Sequence, residues 1–298
     1  MRKNVRFLLC VITLLTLMPM ALGSAEVLNL PWNFDPCPRP QGEYPARYRT
    51  EAWSHYEDPS ITADYDMQMK YGEWKITYYM ARVKIANGTQ LRTAPAGTFD
   101  KPGLTSAQNM ARKVNAVVAI NGDFFSAGEN RYVLRQGQVF QENMGPGQDL
   151  LLIDEEGDFH ILLAEEHPEE MDKTVINGRK VTNALCFGPA LIRDGEIVMD
   201  PEKAQAHSHP YALEHRAALC QTGPLEYMVV VVANWGLTLE DFAAFVYGLG
   251  GVQQAYNLDG AISCQLVFMG EYRSKAASDG QDPRPIPDII YFGSAWQP

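Results

Sequence analysis

Residues 255–268 read AYNLDGAISCQLVF. An apolar run suited to a buried strand stops at Asn257, Leu258, Asp259 and Gly260, and apolar composition returns at 266–268. Strand ends are where α/β proteins place chemistry, because a rigid strand aims side chains and a glycine lets a ligand approach the backbone. A polar knot of this kind is either a tight turn or a site. A second stretch echoes it. Residues 116–120, AVVAI, form a continuous apolar run of the sort covered on both faces, and lead into Asn121, Gly122 and Asp123. Asparagine and aspartate also make Asx turns well. Two such knots, each after a buried strand, favour the site reading. They predict that two strands of one sheet deliver Asn121, Asp123, Asn257 and Asp259 to a common edge.

Each of these strands follows an amphipathic helix. Thr105 or Ser106 caps a helix with Ala107, Met110, Ala111 and Val114 on one face, the i, i+3, i+4, i+7 pattern. Thr238 and Asp241 make a capping box for a second helix bearing Phe242, Phe245, Val246 and Leu249, which Gly250 and Gly251 end. Strands are expected over 74–85, with a change of alternation that suggests a bulge near Ala81, and over 228–232 and 289–292. Hairpins are expected over 150–163 and 190–198. The fold class expected is α/β (α+β), a mixed sheet with flanking helices in a single domain over 70–298. Residues 24–69, rich in proline, aromatics and charge, read as an irregular N-terminal arm.

Residues 1–23 read as a signal peptide. Arg2, Lys3 and Arg6 precede an apolar run too short for a membrane span, and Ala21-Leu22-Gly23 suits cleavage. This points to an extracytoplasmic location, an uncleaved anchor being the alternative, with no integral membrane segment once the leader is removed. Removing it subtracts three basic residues and no acidic ones, so the formal charge moves from −11 to −14. So acidic a chain repels a phosphate backbone, and nucleic acid is excluded as a partner. A local arginine can still bind an anionic substrate. Cys37, Cys186, Cys220 and Cys264 remain, without a CxxC pair. They admit three complete disulfide pairings or four free buried thiols.

AINGDFF at 119–125, HRAALCQTG at 215–223, GLTLEDFAAFVYGLGG at 236–251, AYNLDGAIS at 255–263 and RPIPDIIYF at 284–292 occur in this order. Together they resemble the phosphodiester glycosidase family, over about residues 70–294. The resemblance implies an exported hydrolase that cleaves between a sugar's anomeric carbon and a phosphate oxygen. A carbohydrate phosphodiester is the implied substrate, in surface polysaccharide or phosphoglycan; bacterial members are associated with exopolysaccharide. Such chemistry needs a carboxylate to attack or to activate water, and groups that hold phosphate and sugar. Asp259 is the first choice of carboxylate and Asp123 the second. Arg216 suits phosphate because a guanidinium matches it bidentately, and Arg284 is a further candidate. Asn121 and Asn257 suit sugar hydroxyls. Gly260 allows close approach, and Ser263 suits phosphate through its hydroxyl or N–H.

No G-x-S-x-G surrounds Ser263, so it is not expected to be a nucleophile. His207 and His209 read as a solvated loop. A divalent cation bridging Asp123, Asp259 and the phosphate is conceivable, but the sequence does not require one. The chain departs from the family at two motifs. Ala261 and Ile262 stand in its usual glycine run, while Ala217 and Cys220 replace a threonine and a glycine after Arg216. A β-branched Ile262 is expected to narrow the pocket or alter the substrate. These departures motivate the alternative reading, a non-catalytic glycan- or phosphoglycan-binding protein of the same fold.

Overall fold

The apolar run at 116–120 becomes the strand Ala116–Asn121, with all six residues buried. It is central in a five-stranded sheet ordered Glu271–Tyr272, Leu266–Phe268, Ala116–Asn121, Asp288–Gly293, Leu91–Pro95. Both of its faces are covered. Val118 and Ile120 join the large core, while Ala119 packs with Ala107, Met110 and Ala111 of the helix Ala107–Lys113. The computed structural model describes residues 25–42, 54–68, 76–126, 131–145, 147–166, 171–274 and 283–298. The segment read as a signal peptide lies outside the described residues.

The strand Gln254–Asn257 lies in a different, eight-stranded sheet. There it sits between Ala190–Arg193 and Glu214–Gly223, followed by Glu226–Leu237, Ile76–Ile85, Ile61–Gln68 and His55–Asp58. The two polar knots therefore end strands of two sheets, not of one. A six-stranded sheet built on Leu150–Asp154 and Arg179–Leu185 completes the main framework, and Glu26–Val27 pairs with Trp296–Gln297.

The expected mixed sheet is not found. The chain is sheet-dominated with two α-helices among the described residues, and every strand pair among them is antiparallel. The helix–strand pattern misleads for a specific reason. Helix Leu239–Gly248 does connect two strands of like direction, Glu226–Leu237 and Gln254–Asn257, but Glu214–Gly223 lies between them, antiparallel to both. Helix Ala107–Lys113 likewise links Leu91–Pro95 to Ala116–Asn121, with Asp288–Gly293 inserted between. Both are crossovers of the kind that joins parallel strands, each opened by a third strand from elsewhere in the chain.

The helix caps form as expected. Thr238 Oγ1 accepts from the Asp241 N–H at 3.1 Å, and Ser106 Oγ from the Asn109 N–H at 3.2 Å. The hairpins at Leu150–Asp154/Phe159–Leu162 and Ala190–Arg193/Glu196–Ile197 form. The bulge expected near Ala81 does not, since Ile76–Ile85 keeps unbroken register with both neighbours. Its alternation changes because Ile76, Tyr78 and Met80 are buried beneath the helix Leu239–Gly248 while Tyr79, Ala81 and Val83 face the large core. The irregular arm over 24–69 also needs correction. His55–Asp58 and Ile61–Gln68 form a hairpin at the edge of the eight-stranded sheet, pinned at its turn by Asp58, whose Oδ1 accepts from the Ser60 N–H at 2.7 Å. Cys37, Cys186, Cys220 and Cys264 are four free, buried thiols. Among the described residues, no helix is long and apolar enough to cross a membrane.

Candidate active site

The two sheets meet at the strand ends. Asn121 donates from Nδ2 to the Asp259 carbonyl at 2.8 Å, and its Oδ1 accepts from the Gln265 N–H at 3.1 Å. Asn121 is buried, and its amide ties one polar knot to the other. Asn257 donates to the Gly188 carbonyl at 2.8 Å, while its buried Oδ1 has no partner among the described residues. Both asparagines expected to hold sugar hydroxyls lie behind the cleft surface as structural ties.

Asp259 opens onto a cleft of about 440 Å³ whose wall includes Gly260, Arg131, Glu214, Arg216 and Arg284. Arg284 Nη2 lies 3.2 Å from Asp259 Oδ2 and also donates to Ser263 Oγ. Burial pushes the Asp259 carboxyl above the ordinary aspartate range. The Ser263 hydroxyl, the Arg284 charge and the Gly260 N–H oppose that shift. Gly260 is required where it stands, since a Cβ there would come within 2.9 Å of the His215 carbonyl. Arg284 also lies over the Phe124 ring at 5.6 Å, and its Nη1 and Nε make no hydrogen bond among the described residues.

Asp123 does not reach this cleft. It is fully buried, with Oδ1 2.6 Å from Arg135 Nη2 and Oδ2 accepting from the Cys186 N–H at 3.0 Å. Both oxygens are engaged, so neither is available to substrate or to a cation shared with Asp259. Among the described residues, no three His, Cys, Asp or Glu side chains gather at metal-ligand spacing.

Arg216 lines the cleft but is not disposed as expected. Its Nε donates to the Leu237 carbonyl at 2.9 Å and its Nη1 to Ser208 at 2.7 Å. Its Nη2 donates to His209 and Ala212, each at 2.9 Å. Four of the five N–H groups of a guanidinium are thus held by backbone carbonyls, and burial lowers its pKa to about 10. Arg216 holds the wall segment 208–212 in place.

Two groups that sequence reasoning missed stand in this wall. Arg131 is buried, donates among the described residues only to the carbonyls of Cys186 at 3.2 Å and Asp123 at 3.5 Å, and lies 5.8 Å over the Phe187 ring. Among the described residues, no carboxylate comes within ion-pair distance of it. Glu214, 3.5 Å from His209 Nδ1, is the second carboxylate of the cleft. No motif marks either residue; their only signal is position, Arg131 shortly after the NGD knot and Glu214 two residues before Arg216. His207 also lines the cleft, with Nε2 3.0 Å from the Phe187 carbonyl, and burial lowers its pKa. Its three arginines and two carboxylates leave the wall one net positive charge.

Ala261 lines the cleft at φ +52°, a left-handed conformation that suits the family's glycine. Ile262 does not narrow the cleft, because it points outward, 54% exposed.

The profile of the phosphodiester glycosidase family matches residues 114–293. This chain belongs to the phosphodiester glycosidase family. The catalytic domain of zebrafish N-acetylglucosamine-1-phosphodiester alpha-N-acetylglucosaminidase, auto-inhibited by its pro-peptide, superimposes with a TM-score of 0.62 at 16% identity. The match covers 81% of this chain and 86% of that one. A Burkholderia pseudomallei protein matches with a TM-score of 0.53 at 13% identity over 74% of each chain. At these identities the likeness shows the fold. No curated protein sequence is significantly similar to this chain. Within this family member, the matched stretch spans Asp259, Glu214, Arg131 and Arg284 alike.

Proposed function

We propose that this cleft hydrolyses a glycosyl-1-phosphodiester. The bond from sugar C1 to the bridging oxygen breaks, water supplies the new oxygen on C1, and the phosphate departs as a monoester with the bond's electron pair. The observation that carries the reading is the pairing of Asp259 with Arg284 and Ser263 in a cleft that also holds Arg131, which forms no ion pair among the described residues. A phosphodiester carries one negative charge, matching the wall's net positive one. Arg131 and the free edge of Arg284 hold the phosphate. Asp259 attacks C1 or activates the water. Glu214 takes the place of Asp123 as the second carboxylate. Phosphate is a good leaving group, so little protonation of the bridging oxygen is needed. The basic, apolar segment at 1–23 supports an exported enzyme, which meets such linkages in surface polysaccharide and phosphoglycan.

The test is hydrolysis of a panel of sugar-1-phosphodiesters in oxygen-18 water. The expected result is label at sugar C1, with turnover lost in Asp259→Asn and cut by at least about a hundredfold in Arg131→Ala. Label in the phosphate, or full activity in Asp259→Asn, would overturn the mechanism. Saturable binding of every panel member without turnover would favour a binding protein, to which the strained Ala261 also points.

A further inference from the structure

Three segments converge on Glu214 and His215. The first is the 208–213 segment clamped by Arg216. The second is a two-residue kink in the strand Glu226–Leu237, where Asn234 at φ +66° and Gly236 at φ +70° flank Trp235. This kink is locked against the same point. His215 Nε2 lies 2.9 Å from the Asn234 carbonyl, and a Cβ on Gly236 would lie 2.5 Å from the Glu214 carbonyl carbon. The third is the Gly260–Ile262 turn, packed on the His215 carbonyl through Gly260. Ser208, His209, Gly260 and Ala261 line the cleft, and the kink adjoins it through Glu214.

Each segment carries an exposed apolar side chain there. Trp235 is 77% exposed, Leu213 64%, Tyr211 63% and Ile262 54%. Their intervening neighbours, Ala212 and Ala261, are apolar too. A β-bulge commonly re-aims a side chain beside an active site, and this one turns an indole into water from an otherwise buried strand. Ile262 is one of the residues by which the chain departs from its family's glycines.

We propose that these residues form an apolar collar that binds the second ester group of the phosphodiester, the one opposite the sugar, and that this group is apolar: an alkyl, prenyl or aryl chain. The inference rests on the proposed reaction and narrows its substrate. Leu213 and Ile262 decide the chemistry. Aliphatic side chains offer a sugar ring neither hydrogen bonds nor a stacking face, whereas they bury a hydrocarbon chain readily. The residues that carry the collar adjoin the arginine-lined cleft through Glu214, Gly260 and Ala261. A phosphate seated on Arg131 and Arg284 therefore directs one ester inward toward Asp259 and the other out across the mouth.

The experiment compares one sugar-1-phosphate esterified with methyl, octyl or a second sugar. Burial of even two methylenes gives a kcat/KM for octyl at least about tenfold above methyl, with the sugar ester no better than methyl. In Trp235→Ser and Ile262→Gly the octyl-to-methyl ratio falls toward one. Equal rates on the three esters, a preference for the sugar ester, or a ratio unmoved in both variants would overturn the collar. If no ester turns over, the proposed reaction fails separately, and calorimetry decides the collar. Octyl phosphodiester binding more tightly than methyl, with the gap closed in Trp235→Ser, supports it, and equal binding rejects it. Adsorption to phospholipid vesicles without preference among soluble esters would reassign the patch to a membrane surface and overturn the proposal.

Discussion

Replacing Arg216 by methionine separates two roles that a cleft-lining arginine can have. If Arg216 grips phosphate, the variant keeps its stability and binds substrate poorly. The geometry predicts the opposite emphasis. Four hydrogen bonds run from the guanidinium to the carbonyls of Leu237, Ser208, His209 and Ala212. Bonds from a charged donor contribute about 1.5–3 kcal/mol each, or roughly 6–12 kcal/mol before offsets. Two offsets apply. The buried cation has no carboxylate partner, and relieving its desolvation returns several kcal/mol (about 3–5). The freed carbonyls of 208–212 lie at the cleft edge and can turn toward water. A net loss of about 3 kcal/mol remains, equivalent to a fall in Tm of roughly 5 °C for a chain of this size. Thermal unfolding followed by circular dichroism reads this, alongside kcat and KM for a sugar-1-phosphodiester. A midpoint within about 0.5 kcal/mol of wild type together with a raised KM would refute the clamp and return Arg216 to the phosphate.

Three further outcomes follow from the buried carboxylates and the turn. Burial, reinforced by the charge of Asp123, raises the Asp288 pKa to about 8. Its folded value lies above its unfolded one, so its stabilising contribution is complete below about pH 4 and is lost as pH climbs toward 8. Asp288→Asn should flatten the decline of the urea midpoint between pH 5 and 8.5; an unchanged slope would mean that Asp288 is ionised throughout. Gly122→Ala places a Cβ 2.2 Å from Asp288 Oδ1 and should lower stability by about 1–3 kcal/mol in chemical denaturation, whereas a neutral result would show that the carboxyl moves aside freely. Ala261→Gly removes a left-handed alanine at φ +52° and should raise the denaturation midpoint by up to about 1 kcal/mol with activity retained; a loss of stability would show that Ala261 is not strained.

The elements were largely legible in the sequence, because helix caps, hairpin turns and buried strands are written locally. Ser106, Thr238 and the Asp194-Gly195 turn act where they stand. Strand order is not local. The helices at 107–113 and 239–248 each join strands of like direction, which in sequence is indistinguishable from a parallel unit. The residues that spoil that reading, 288–293 and 214–223, enter from far along the chain or from the strand just before. The hairpin at 55–68 was hidden for a related reason. Its strands sit at a sheet edge, where Asp64, Asp66 and Gln68 face water and leave little apolar alternation to detect.

The candidate site shows the same division more sharply. Sequence distinguishes residues that are chemically able from those that are not; it does not show which way a side chain faces. Asn121, Asp123, Asn257 and Asp259 stand at matching strand ends, yet only Asp259 opens to the cleft. The other three are buried behind it, where polar groups turn to the protein for partners, Asn257 to the Gly188 carbonyl. Asn121 finds the Asp259 backbone and Asp123 finds Arg135. The repeated knot is therefore one site and its fastening. Mirror-image sequence signals meet across the seam between two sheets, and the half that closes it leaves the other half free to face substrate. The arginines divide in the same way. Arg216 looks like a phosphate ligand because it follows a loop, but that loop's carbonyls consume it. Arg131 stands just past the first knot, where no motif marks it, and among the described residues its guanidinium donates only to carbonyls, with no carboxylate at ion-pair distance. A buried cation that forms no ion pair among the described residues marks where an anionic substrate belongs, and only the folded chain reveals it.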